Sequence, residues 1–66
     1  MSFYPEGTES LPTDDPARSL KKWNQILWDT YGNVGNVPLP EGTQPLPGDS
    51  EDRSKQKINA IYKATQ

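Results

Sequence analysis

Residues 5–31 read PEGTESLPTDDPARSLKKWNQILWDTY, and residues 40–66 read PEGTQPLPGDSEDRSKQKINAIYKATQ, with no gap between the two alignments. Pro5, Glu6, Gly7, Thr8, Leu11, Pro12, Asp14, Arg18, Ser19, Lys22, Asn24, Ile26 and Thr30 all recur 35 positions later. Roughly two identities are expected by chance over such a span, so the chain is one pattern written twice. The organisation that follows is a first arm-helix repeat over 1–32, a linker over 33–39 and a second arm-helix repeat over 40–66. Duplication implies that each copy does the same job on an equivalent surface.

Working outward from the shared aspartate, each copy is acidic first and basic second. Residues 1–15 carry −4, 16–32 carry +2, 33–52 carry −4 and 53–66 carry +4, which together make the net −2 of the chain. Acids ahead of a helix and bases along its later turns complement the helix dipole. Asp14 and Asp49 are therefore read as helix caps, with Asp15 and Ser50 beside them and Pro16 at a first helical position. The pattern predicts helices over 16–31 and 51–64. Leu20, Trp23, Leu27 and Tyr31 form an apolar stripe on the first, widened by Ala17, Ile26 and Trp28. Gly32 is expected to end that helix in the left-handed conformation. The second helix has a thinner stripe of Ile58, Ile61 and Tyr62 and would be marginal alone.

The stretch from Val37 to Gly48 contains four prolines, which favour polyproline II and turns and oppose a sheet. Leu39 and Leu46 are apolar points on an otherwise polar line, as are Leu11 and the Phe3-Tyr4 pair. The fold class expected is mainly α with extended, irregular arms: two short amphipathic helices joined by a Pro/Gly-rich strap, with no independent globular core. Composition points the same way. Only 30% of the 66 residues are hydrophobic, mean hydropathy is −0.96, and there is no cysteine or histidine. A chain this short without a disulfide or metal staple commonly relies on a partner.

Those absences also bear on function. Without histidine or cysteine, and with little core to shape a pocket, the expectation is no catalysis, no cofactor and no metal. Arg53, Lys55, Lys57 and Lys63 cluster, but Glu51 and Asp52 adjoin them, so no nucleic-acid partner is expected. No apolar run reaches membrane-spanning length, and the N-terminus lacks a signal-peptide pattern, so a soluble protein made in the cytoplasm is expected. What remains is binding to protein. Trp23 and Trp28 are of the type that dominates interfaces, and with Ile26 they span too wide an arc for one thin helix to cover. At least one tryptophan should meet another chain. The expected partner-binding set is Leu20, Trp23, Ile26, Leu27, Trp28, Tyr31, Leu46, Arg18, Arg53, Ile58, Ile61 and Tyr62. For Arg18 and Arg53 two readings stand together: an i,i+4 pair with Asp14 and Asp49, or a grip on a partner's carboxylate or carbonyls.

The run Pro45-Leu46-Pro47-Gly48-Asp49-Ser50-Glu51-Asp52-Arg53, followed by Lys57-Ile58-Asn59-Ala60-Ile61, resembles a short segment of virion proteins of tailed bacteriophages, and of their tail and fibre-associated proteins in particular. There it forms a Pro-Gly-Asp turn, an arginine shortly after, and a brief amphipathic helix containing Lys-Ile. The resemblance covers about 20 residues of the second repeat. The first matches less closely, with Thr13 in place of the glycine, and Ser54-Lys55 stands where a leucine pair is usual. The resemblance implies a structural component of the virion without saying which one. Virions present identical subunits in rings and lattices, so the expected partners are larger virion proteins so arranged, with several copies of the chain per particle. The resulting expectation is a bivalent peptide that fastens neighbouring subunits at the tail, baseplate or fibre attachment. A capsid cement, a regulatory or inhibitory peptide that folds on one target, and a self-assembling helical oligomer are the alternatives.

Overall fold

A computed structural model of the chain describes residues 7–66; the Phe3-Tyr4 pair and Glu6 lie outside the described residues. Helix α1 runs Pro16–Leu27 and continues without a break as a wider π-helical segment, Trp28–Val34; helix α2 runs Glu51–Ala64. No strand occurs among the described residues. The fold is thus mainly α, and α2 begins and ends where the sequence places it.

The caps are one residue later than expected. Asp15 accepts a hydrogen bond from the Arg18 amide at 2.7 Å, and Ser50 accepts from the Arg53 amide at 3.2 Å, which satisfies an orphan donor in each first turn. Asp14 and Asp49, read as caps from sequence, instead close the preceding turn. In the first repeat Asp14 N–H donates to Leu11 O at 3.1 Å, and Leu11 N–H donates back to Asp14 Oδ2 at 3.0 Å. In the second, Asp49 N–H donates to Leu46 O at 3.1 Å and Leu46 N–H to Asp49 Oδ2 at 2.9 Å. Pro12 and Pro47 occupy the second turn position, where the ring presets φ.

The first helix also ends differently. Gly32 is not in the left-handed region; its lack of a side chain allows Leu39 to approach, since a Cβ there would lie 3.0 Å from Leu39 Cδ1. The left-handed residue is Asn36, at φ 56°, and Val37 N–H donates to Tyr31 O at 2.7 Å just beyond it. Asn tolerates this conformation better than other side-chain-bearing residues. The run Asp29-Thr30-Tyr31-Gly32-Asn33 holds weak helix formers, consistent with loss of the regular α ladder after Leu27.

Extended arms and the absence of a core are not what the described residues show. Leu27, Ile58 and Ile61 are buried together, with Leu20, Tyr31 and Leu39 packed against them. The radius of gyration is 11.4 Å, close to the roughly 11 Å of a compact chain of this length. The strap from Gly35 to Ser50 folds back across both helices, so the longest dimension of the molecule is 32 Å.

The two helices meet through different faces. α1 buries Asn24 and Leu27, with Leu20 beside them, whereas α2 buries Ser54, Lys57, Ile58 and Ile61. The repeat counterparts of the α1 set are Lys55, Asn59 and Tyr62, all exposed; those of the α2 set are Ser19, Lys22, Trp23 and Ile26, of which Lys22 and Ile26 are half-buried and none is buried. At 100° per residue these faces lie about 100° apart on the same helical pattern. Leu27 beds against Ile58 and Ile61, and Asn24 Nδ2 donates to Thr43 O at 3.1 Å. On the other side the bulkier counterparts only touch at the rim, Trp23 Nε1 donating to Tyr62 Oη at 3.1 Å.

Candidate functional site

Each repeat builds the same polar clamp. Lys22 Nζ donates to Asp14 Oδ2 at 2.6 Å and to Glu9 O at 2.9 Å. Lys57 Nζ donates to Asp49 Oδ2 at 2.5 Å and to Gln44 O at 3.0 Å. A lysine two turns into the helix thus reaches back to the aspartate of the turn and a carbonyl of the arm, fixing turn, arm and helix to one another. The hydrogen bond from Lys22, helped by the Leu11 amide, holds the Asp14 carboxyl below its ordinary value. Burial pushes the Asp49 carboxyl up, but the Lys57 and Leu46 hydrogen bonds outweigh it and the net shift is again downward. Both aspartates are therefore firmly ionised at neutral pH.

Each clamped turn carries a half-exposed leucine. Leu11 is 50% exposed and Leu46 is 52% exposed, each on its proline-containing turn. Behind each turn's arm lies a cleft against the helix, about 360 Å³ in the first repeat and about 320 Å³ in the second. Gly7, Thr8, Arg18 and Lys22 line the first, and their counterparts Gly42, Thr43, Arg53 and Lys57 line the second. Gly7 and Gly42 adopt φ of +83° and +88°, which the tight arm bend requires. The second repeat's Leu46 and Pro47 also wall the first cleft, where Lys21 Nζ donates to Pro47 O at 2.9 Å.

The residues expected to bind a partner divide into three groups. Leu27, Ile58 and Ile61 are the buried core, so the folded chain does not present them as a docking face, and Leu20 and Tyr31 are half-buried against it. Ile26 and Trp28 are half-buried. Trp23, Leu46, Tyr62, Arg18 and Arg53 are exposed. For Arg53 the local pairing is present but loose, with Nε 3.8 Å from Asp49 Oδ1, and its side chain stays largely in solvent. The expected set omits Leu11, although identity of Leu11 and Leu46 in both copies is the signal that marks it. Lys22 and Lys57 are likewise missing from it, because eight residues separate them from the aspartates, beyond the i,i+3 and i,i+4 spacings at which helical side chains pair.

Among the described residues no group of three or more His, Cys, Asp or Glu side chains is placed to hold a metal ion, and no helix is long and apolar enough to cross a membrane. No protein-family model, curated protein or solved structure matches the chain. The arrangement offers two copies of an apolar knob on a charge-clamped turn, with Arg18 and Arg53 exposed on the helices that follow. Such a feature can bury a leucine and pair a guanidinium with a carboxylate on another protein.

Proposed function

We propose that the chain is a non-enzymatic structural protein of a tailed-phage particle, binding larger virion proteins through its two repeats and so fastening neighbouring subunits. What carries the reading is the equal presentation of Leu11 and Leu46 on identically clamped turns. Both side chains stand half in solvent, yet duplication has kept them in register. The compact shape limits the reach: two footholds on one body must engage sites within about the 32 Å length of the molecule, not across an outstretched strap. Subunits around a ring or lattice offer equivalent sites at fixed spacing, and joining two weak contacts raises avidity by about 10² to 10⁴. Tail, baseplate or fibre attachment is the first location and the capsid surface the second.

The test uses purified particles and the variants Leu11→Asp, Leu46→Asp and the double. Either single substitution is expected to lower retention on the particle at least tenfold while helix content is unchanged, and the double should add little, because one lost foot already removes the avidity. Retention unaltered in both single variants sinks bivalent docking. Absence of the chain from purified particles sinks the virion assignment itself.

A further inference from the structure

One groove of the duplicated frame is filled and its counterpart is open. In the second repeat Asp49, Ser54, Lys57, Ile58 and Ile61 are all buried. Their counterparts Asp14, Ser19, Lys22, Trp23 and Ile26, with Ser10 of the arm, line a cleft of about 190 Å³. That is below the roughly 300 Å³ at which sites for drug-sized molecules begin, and it leaves room for one small ring.

The polar side of the cleft asks for a neutral donor. The Asp14 side chain is only 2% exposed, yet its Oδ1 has no hydrogen-bond partner among the described residues. A buried carboxylate oxygen left unmatched is costly, so a guest that brings a donor is favoured. The guest need not be charged. Lys22 Nζ already lies 2.6 Å from Asp14 Oδ2, and Arg18 acts on the same carboxylate, so a further cation would meet like charge where a hydroxyl would not. The hydroxyls of Ser10 and Ser19, both exposed residues, can donate to guest oxygens or accept from them.

The other side of the cleft is apolar. Trp23 is 41% exposed, and its indole N–H is taken up by Tyr62 Oη at 3.1 Å. What Trp23 and Ile26 still offer a guest is therefore hydrocarbon and ring surface. A pyranose combines what both sides require: hydroxyls on its rim that donate and accept, an apolar C–H face, no charge, and the size of a single ring.

We propose that the open groove of the first repeat binds one neutral pyranose, with a sugar hydroxyl donating to Asp14 Oδ1, its other oxygens meeting Ser10 and Ser19, and its apolar face against Trp23. The inference stands apart from the virion reading, because it rests on this groove alone and holds wherever the chain resides.

The experiment is an NMR titration of the full chain with glucose, galactose, mannose and N-acetylglucosamine, each up to about 100 mM, well above the millimolar dissociation constant expected of so small a ligand. At least one sugar should give saturable shifts of the Trp23 indole N–H and of the Ser10 and Ser19 amides, leaving the Asp49 amide unmoved. Ser19→Leu fills the cleft from an exposed helix position and should weaken the binding at least tenfold with helix content intact. Trp23→Ala should do the same, and Ser19→Leu keeps the test decisive if Trp23→Ala loses helix. Maltotriose and chitotriose distinguish the source: affinity equal to the single sugar makes one ring the whole ligand, a tenfold gain makes that ring part of a glycan chain, and both support the proposal. No saturable shift with any of these sugars overturns it. So does saturation by methylguanidinium in their place, which would assign the groove to a basic side chain, and so does sugar binding that Ser19→Leu leaves unchanged.

Discussion

The two repeats share a frame and differ in filling. In both, an aspartate closes a Leu-Pro turn, and a lysine eight residues on clamps that turn to the helix and the arm. In the second repeat the groove so formed is occupied: Ile58 and Ile61 lie under Leu27, and Ser54 and Lys57 are buried with them. In the first, Trp23 stands where the second has Ile58, Ile26 keeps the isoleucine of Ile61, and the groove stays open. The lesson concerns how duplication makes a fold. A polar frame held constant lets each copy form its own local structure. The apolar positions differ on that frame: Leu27 seats on Ile58 and Ile61 in the second groove, while Tyr62 and Trp23 meet only at the edge of the first.

The sharpest way to break this comparison is at the shared isoleucine. Ile61 has no exposed surface and Ile26 is half-buried. Ile61→Ala removes methyl groups from a core with three buried apolar members and should cost about 2–5 kcal/mol, enough to unfold a domain of this size. Ile26→Ala, at the same repeat position, should cost well under half as much. Thermal melts followed by circular dichroism give both values. Equal losses would mean that the two grooves are filled alike.

A smaller effect separates the clamps by pH. Asp14 and Asp49 both have carboxyl pKa values below the ordinary 3.8 in the folded chain. A group whose folded pKa is depressed stabilises the fold fully above its unfolded pKa and loses that contribution as pH falls through the folded value. Stability should therefore be flat from neutral pH down to about 5 and then decline as pH drops below about 4. Asp49→Asn should lower the melting midpoint at pH 7 and flatten much of this acid limb, since it leaves Lys57 buried without its counter-charge. Asp14→Asn should do the same more weakly, because Lys22 is less enclosed and can turn to water. An acid limb that neither substitution alters would assign the pH dependence to other carboxylates.

The sequence makes some of this legible and hides the rest for physical reasons. Helix α2 could be placed to the residue because Ser50, Glu51 and Asp52 are local signals that depend only on neighbours along the chain. The Pro-rich strap is irregular, as its prolines require, but its path back over the helices depends on contacts such as Asn24 with Thr43, 19 residues apart. The clamp of Asp49 on Lys57 is similarly hidden. Eight residues span about 12 Å along a helix, beyond side-chain reach, and the pair becomes a contact only because Asp49 lies before the helix in a turn that doubles back on it. For the same reason the buried core of Leu27, Ile58 and Ile61 reads from sequence as a partner surface: each stripe is visible, but which stripe faces inward depends on contacts between α1 and α2, about 30 residues apart in sequence.

The smallest expected effect tests the part of the comparison that should not break. Gly7 and Gly42 take the same left-handed conformation, and a Cβ built on either meets nothing within 4 Å. Crowding therefore contributes nothing, and Gly→Ala at either position should cost only the backbone penalty of a left-handed residue, about 1–2 kcal/mol. A difference between the two repeats is not expected here, in contrast to the isoleucine pair, because the bend belongs to the shared frame and not to the groove it borders. Gly7→Ala and Gly42→Ala should lower the melting midpoint by similar amounts. If Gly42→Ala is much the more damaging, the frame itself is stabilised unequally, and the filled groove of the second repeat reaches back to set the bend of its arm.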